Sequence, residues 1–195
     1  MSDIAAPVRE GMSVDEFWER QNERNFELIH GEHVFMSPKL WGSDKYADRL
    51  RRRIEAFTEQ RELGNVFVEV TFALPGADKN WIKGSRQPDV SYYEKSRIEA
   101  YDAEHDDEDD NLPLMLVPDL AVEIVSKSDK WSDVVAKAGL YLQDGVRLIW
   151  IIHRRRRFIT VYTPNDPPVT LNEGDTLTGG DVLPGFTLEL ATFFT

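Results

Sequence analysis

The sequence predicts an α/β (α+β) fold, a mixed central β-sheet flanked by helices, and three observations lead there. The runs "DLAVEIVS" (119–126) and "RLIWIIH" (147–153) are short, apolar and β-branched, and a helical stretch separates them, which makes a β–α–β unit expected to cross over right-handed in parallel. "FELIHGEHVFMSP" (26–38) reads as two strands around a tight turn at His30–Gly31, a hairpin ending at Pro38. "DKYADRLRRRIEAFTEQREL" (44–63) carries Tyr46, Leu50, Ile54 and Phe57 at helical spacing, so a helix has one face to lay on a sheet.

The elements follow in chain order. "SVDEFWERQNE" opens a short helix in which Ser13 and Glu16 have capping-box spacing. After the hairpin comes the long helix, which Gly64 is expected to end. Its arginines, Arg51 to Arg53, lie mostly away from the apolar stripe, on a solvated face or one that meets phosphate. "NVFVEVTFALPG" reads as one strand and "RQPDVSYYEK" as the next, with Pro88 near its start, where a missing N–H is tolerated. Residues 94–116 are polar and acidic, expected as a loop with a helical turn. The strand at 119–126 leads to a helix from about 131 to 143 and a stop at Gly145. "RLIWIIH", "FITVYTP" and short strands with Gly-rich turns complete the chain. No repeat and no linker divides it, so residues 1–195 are expected as a single domain.

Composition narrows the class. At 195 residues and 41% hydrophobic the chain is long enough and apolar enough for a core. It has no cysteine, which excludes disulfides and thiolate metal sites. No apolar run approaches the length that spans a bilayer and no signal-peptide core is seen at the N-terminus, so the expectation is a cytoplasmic protein with no membrane partner. The net charge of −12 argues against a generic nucleic-acid binder. The acid is concentrated, however: "DAEHDDEDD" (102–110), read as a solvated loop, holds seven carboxylates, and without them the charge is −5. Arg154 to Arg157 form a second basic cluster, a solvated turn or a phosphate contact. The four histidines show no metal-ligand spacing, and there is neither a Gly-rich phosphate loop nor a Ser/His/Asp order.

Two acids stand out. Asp89 follows Pro88 in a strand-like run, and Glu123 lies inside an apolar strand, sharing a face with Ala121 and Val125. Each costs several kcal/mol, on the order of transfer and mutational values, to bury ionised without a partner. If the strands are neighbours the two converge, and paired carboxylates are stable chiefly around a cation; Mg²⁺ suits oxygen donors and retained water. Lys137, flanked by Val134 and Tyr141 on one helix face, lies on or beside the core-facing stripe, where an ammonium finds anions or snorkels to water. Such an ammonium could orient a water and offset charge on a phosphoryl oxygen. Rim carboxylates and a snorkelling lysine would have the same spacing, so the pattern by itself leaves both readings open.

The order "FELIHGE", "SP", "RQPDV", "VEIVS", a lysine in the next helix, "GV…IWII" and "LPGF" resembles the Uma-type family, small stand-alone bacterial proteins grouped with the restriction endonucleases and abundant in cyanobacteria. That family belongs to the PD-(D/E)XK nuclease superfamily, and the resemblance covers about residues 12–194. It implies a restriction-endonuclease-like core with an N-terminal helix and hairpin and extra C-terminal strands. It also implies an Mg²⁺- or Mn²⁺-dependent endonuclease acting on DNA, with a possible homodimer. Position by position, Asp89 matches the "PD" acid and Glu123 the second acid. Val125 holds the usual lysine slot and could add a carbonyl ligand, Lys137 matches the lysine moved to the following helix, and Glu27 matches the hairpin acid. Ser43 and Asp44 stand where the family usually carries a histidine. That departure and the acidic run keep a second function in view, a catalytically inactive binding or assembly module on the same fold.

Overall fold

A computed structural model describes residues 10–36, 41–76, 80–105, 113–127 and 129–195, with the side chains of 41–44 left aside. In chain order the elements are β1 (Met12–Ser13), α1 (Val14–Glu23), β2 (Phe26–Ile29), β3 (Glu32–Phe35), α2 (Trp41–Glu59), β4 (Gly64–Val68), β5 (Phe72–Pro75), β6 (Trp81–Arg86) and β7 (Val90–Glu94). They continue with α3 (Lys95–Glu104), β8 (Leu120–Ile124), α4 (Trp131–Asp144), β9 (Leu148–His153), β10 (Phe158–Tyr162), β11 (Val169–Asn172), β12 (Thr176–Gly179), β13 (Leu183–Glu189) and α5 (Leu190–Phe193).

The main sheet has the order β11-β10-β9-β8-β7-β4, and only its β8–β9 pair is parallel. That is the mixed sheet the β–α–β reading predicts, with α4 as the crossover. One face presents Val122, Ile124, Trp150 and Ile152 to Leu50 and Ile54 of α2 and to Leu183, Phe186 and Leu188 of the C-terminal hairpin. The other presents Ala121, Val125, Ile149 and Ile151 to Ala138 and Tyr141 of α4. Glu123, between Ala121 and Val125 in the alternation, therefore points to the α4 side. A smaller sheet, β1-β6-β5, packs with α1 and β2 around Phe17, Phe26, Leu28 and Ile82.

Local signals explain much of this. Ser13 caps α1, its Oγ accepting from the Glu16 N–H at 3.2 Å. His30 and Gly31 both have positive φ, 50° and 79°, the backbone of a type I′ hairpin turn. Gly145, at φ 103°, closes α4 with its N–H on the carbonyls of Tyr141 and Leu142. Arg51 pairs within α2 with Asp48 and Glu55, and Arg52 with Asp48, so part of this cluster is engaged in intrahelical ion pairs.

Three expectations need correction, and one strand, β6, was not foreseen. "NVFVEVTFALPG" is two strands in different sheets, because Glu69 takes φ 56° and breaks the chain between β4 and β5. Gly64 does not end α2; the helix stops at Glu59 and Gly64 is the first residue of β4, its Cα packed where a Cβ would lie 2.0 Å from the Tyr93 carbonyl oxygen. β6, "WIKGSR", has the wrong pattern for an isolated strand and exists through its pairing with β1 and β5. Residues 95–104 form a ten-residue helix rather than a single helical turn. Of the acidic run, Asp102 and Glu104 belong to α3, while 106–110 lies outside the described residues, as does Pro38.

Candidate active site

The site is assembled by register. Antiparallel pairing of β7 with β8 sets Val90 opposite Val122, and just outside β7 the Asp89 N–H donates to the Val122 carbonyl at 2.9 Å. Asp89 thus faces Glu123 across the two strands. Its carboxylate Oδ2 accepts the Ile124 N–H at 2.6 Å, which seats the acid against β8 beside Glu123.

Glu27 arrives from the hairpin. The Leu28 N–H donates to Ser85 Oγ at 2.9 Å, and Arg86 Nη1 donates to the Leu28 carbonyl at 2.8 Å, so β2 is clamped to β6. Arg86 is itself held by Asp144 at the end of α4, 3.1 Å away and buried. This clamp brings the hairpin and α4 together. The Gln87 N–H then donates to Glu27 Oε1 at 2.8 Å.

Lys137 joins the two sides. Its Nζ lies 2.9 Å from Glu27 Oε1 and 2.8 Å from Glu123 Oε1. One helical turn on, the Tyr141 hydroxyl donates to Glu123 Oε1 at 2.5 Å. Sequence reasoning treated Tyr141 only as a core neighbour of Lys137; the i, i+4 spacing on one face was the signal that both reach the same acid. Val125, just past the end of β8, donates its N–H to the Ile152 carbonyl and buries its side chain on the α4 side.

The electrostatics follow from burial. Glu123 is 15% exposed, and its carboxyl is pushed up from 4.5 to about 7. Burial is the main cause; the charges of Asp89 and Glu27 push the same way, while Lys137 pulls down. Lys137 is held above its ordinary value: burial opposes the charge, but Glu123 and Glu27 outweigh it. The ammonium therefore stays protonated at neutral pH and serves as a donor rather than a base. Tyr141 is also raised, by burial and then by the neighbouring carboxylates, so its hydroxyl keeps the proton it donates.

The oxygen donors suit a hard dication. Two carboxylates, Glu27 and Glu123, share one ammonium, and Asp89 faces Glu123 from the neighbouring strand. Among the described residues no group of three or more acid or imidazole side chains is placed to hold a metal ion. Two carboxylates with retained water are enough for Mg²⁺, which dehydrates reluctantly.

A mixed sheet flanked by helices, with one β–α–β crossover and an added hairpin, defines a protein of the α+β class. The chain belongs to the Uma2 family, described as "Putative restriction endonuclease", whose model matches residues 14–191. Among solved structures it is similar to one described as a putative nuclease belonging to DUF820, from Anabaena variabilis ATCC 29413. The identity is 18% and the TM-score 0.77, over 94% of this chain and 97% of that one. No curated protein matches. No helix among the described residues is long and apolar enough to cross a membrane.

Proposed function

We propose that the protein is a metal-dependent endonuclease that hydrolyses phosphodiester bonds in DNA. The observation that carries this reading is the pairing of Glu27 and Glu123 with the Lys137 ammonium, with Asp89 seated on β8 beside Glu123, in a family of nuclease description. Asp89, Glu123 and the Val125 carbonyl would hold Mg²⁺ or Mn²⁺, which when bound supplies Lewis acidity toward a phosphoryl oxygen and a more acidic water. Lys137 donates hydrogen bonds to the attacking water or to the phosphoryl oxygens as their charge grows. Glu27 is a positioning residue: it holds the ammonium at 2.9 Å and is itself fixed by the Gln87 N–H. Tyr141 orients the Glu123 carboxylate. A second copy of the chain would supply the site for the opposite strand, and a cytoplasmic location belongs to the same reading.

Nicking of plasmid DNA in Mg²⁺ or Mn²⁺ tests it. Wild type is expected to cleave, and Lys137→Ala and Asp89→Ala to lose cleavage by at least about a hundredfold. Cleavage by wild type no greater than by these variants, on DNA and RNA alike, overturns the reading. One observation favours the rival of an inactive module: Lys137 already bridges Glu27 and Glu123, so the cluster is partly neutralised by its own lysine. Calorimetric titration with Mn²⁺ separates the two, since only the enzyme reading requires binding that Glu123→Gln removes.

A further inference from the structure

The parallel pairing of β8 and β9 has a consequence for the arginine turn. Glu123 lies opposite Ile151, two residues before His153, and the Val125 N–H reaches the Ile152 carbonyl. Arg154 to Arg157, which join β9 to β10, therefore emerge at the same end of the sheet as Asp89 and Glu123. From strand geometry the Cα atoms of Glu123 and His153 are about 8 Å apart, one strand across and two residues along. At the opposite end, where β7 finishes at Glu94 and β8 follows Asp119, the acids are met by Lys95, Arg97 and Arg147.

The turn is short of anions. Arg157 pairs with Glu173 at 3.0 Å, but among the described residues no carboxylate pairs with Arg154, Arg155 or Arg156. Arg154 Nε is buried without an acceptor, and Arg155 and Arg156 are exposed. Nearby, Asp129 is engaged by the Ser126 N–H. Beside the arginines lies an aromatic cluster. His153 and Phe158 are 4.9 Å apart between ring centroids, and Trp131, at the start of α4, is 5.9 Å from one and 5.7 Å from the other. Trp131 is 41% exposed, an unusual position for so large a ring, and Val135 one turn on is also exposed.

We propose that Trp131 with Arg155 and Arg156 forms a platform for an unpaired stretch of nucleic acid, the indole stacking a base and the guanidinium groups taking the phosphates that flank it. Cations that track a backbone next to an open ring are what single strands require, because every base has a stackable face. A duplex would offer the phosphates but keep its bases covered. A second copy of this chain would cover the rings but leave the guanidinium groups unpaired. The inference rests on the nuclease reading only for its biological use; the platform itself is a binding surface.

The test is fluorescence anisotropy with labelled oligothymidine and with a duplex of equal length, in EDTA so that nothing is cut. Wild type is expected to prefer the single strand. Trp131→Ala should weaken that binding by about fivefold or more, and Trp131→Phe should keep most of it. Arg155→Ala/Arg156→Ala should lower the slope of log affinity against log salt by about 1.4, two phosphates at 0.7 each. Thermal melts establish that each variant is folded, and these surface changes remove no core contact. Unchanged single-strand binding by the tryptophan and arginine variants overturns the proposal. So does equal binding of duplex and single strand, or a Trp131→Ala protein that changes only its self-association by light scattering. A wild type that binds the strand yet never cleaves supports the platform and removes the nuclease reading; one that cleaves while the arginine variant binds normally does the reverse.

Discussion

Replacing Lys137 by methionine keeps the side-chain length and removes the charge between Glu27 and Glu123, 2.9 and 2.8 Å away. The consequence depends on pH in a direction that can be worked out. In the wild-type protein the Glu123 carboxyl is raised from 4.5 to about 7. A raised acid favours the fold while it is protonated. Stability is therefore fully present below 4.5, falls as pH rises while only the unfolded carboxylate is ionised, and levels off above about 7. The fall is about 1.4 kcal/mol per pH unit, roughly 3 kcal/mol in all. Lys137 is what keeps that plateau as low as 7, and being raised itself it stays charged throughout this range. Without it Glu123 remains protonated in the folded protein to higher pH, and the decline continues past 7. Between pH 6 and 9 the variant should lose progressively more stability relative to wild type as pH rises, on top of a pH-independent loss from the stranded Glu27. The assay is urea unfolding in EDTA at a series of pH values. A stability difference that stays flat from pH 6 to 9 would refute the reasoning, because it would mean that Lys137 does not set the ionisation of Glu123.

Other outcomes follow from the same structure. Metal binding needs the ionised Glu123, so Mn²⁺ affinity measured by calorimetry should fall up to tenfold per pH unit below about 7 and be nearly level above it. Tyr141→Phe removes the hydroxyl on Glu123 Oε1; the onset of Mn²⁺ binding should move to higher pH, and urea unfolding at neutral pH should show a loss of about 1–2 kcal/mol. Asp144→Asn leaves Arg86 buried beside a neutral partner and loosens the clamp between hairpin and α4; unfolding midpoints should report a loss of about 3 kcal/mol. Ser13→Ala, remote from the site, should cost about 1 kcal/mol in the same assay through its cap on Glu16 and leave metal affinity unchanged.

The sequence was most informative where chemistry is local. His30–Gly31 announces a turn that needs positive φ, and the run around Glu123 announces a buried strand whose alternation sends that acid toward the crossover helix. The opposition of Asp89 and Glu123 needed only the assumption that their strands are neighbours, which β7 and β8 are. Other features are set by tertiary partners far away in the chain. β6 has too little β-branched character to be read alone; its backbone is ordered by β5 and β1, and its Arg86 reaches Asp144, 58 residues on. The contact of Glu27 with Lys137 depends on that clamp, so only the family's motif order pointed to Glu27. Asp119 shows why a buried acid alone is a poor guide. It immediately precedes β8, the strand of Glu123, and is fully buried, yet Arg97 at 2.7 Å, Arg147 at 3.0 Å and the Glu94 N–H satisfy it. Glu123 differs in company: it shares its one lysine with a second carboxylate and faces a third.

The most direct measurement is a crystal structure of the protein soaked with Mn²⁺, read by the anomalous signal of the ion. The account predicts one ion between Asp89 and Glu123, with Lys137 still within hydrogen-bond distance of Glu27. A soaked crystal with no ion at these carboxylates, and Lys137 bridging Glu27 and Glu123 as before, would contradict it.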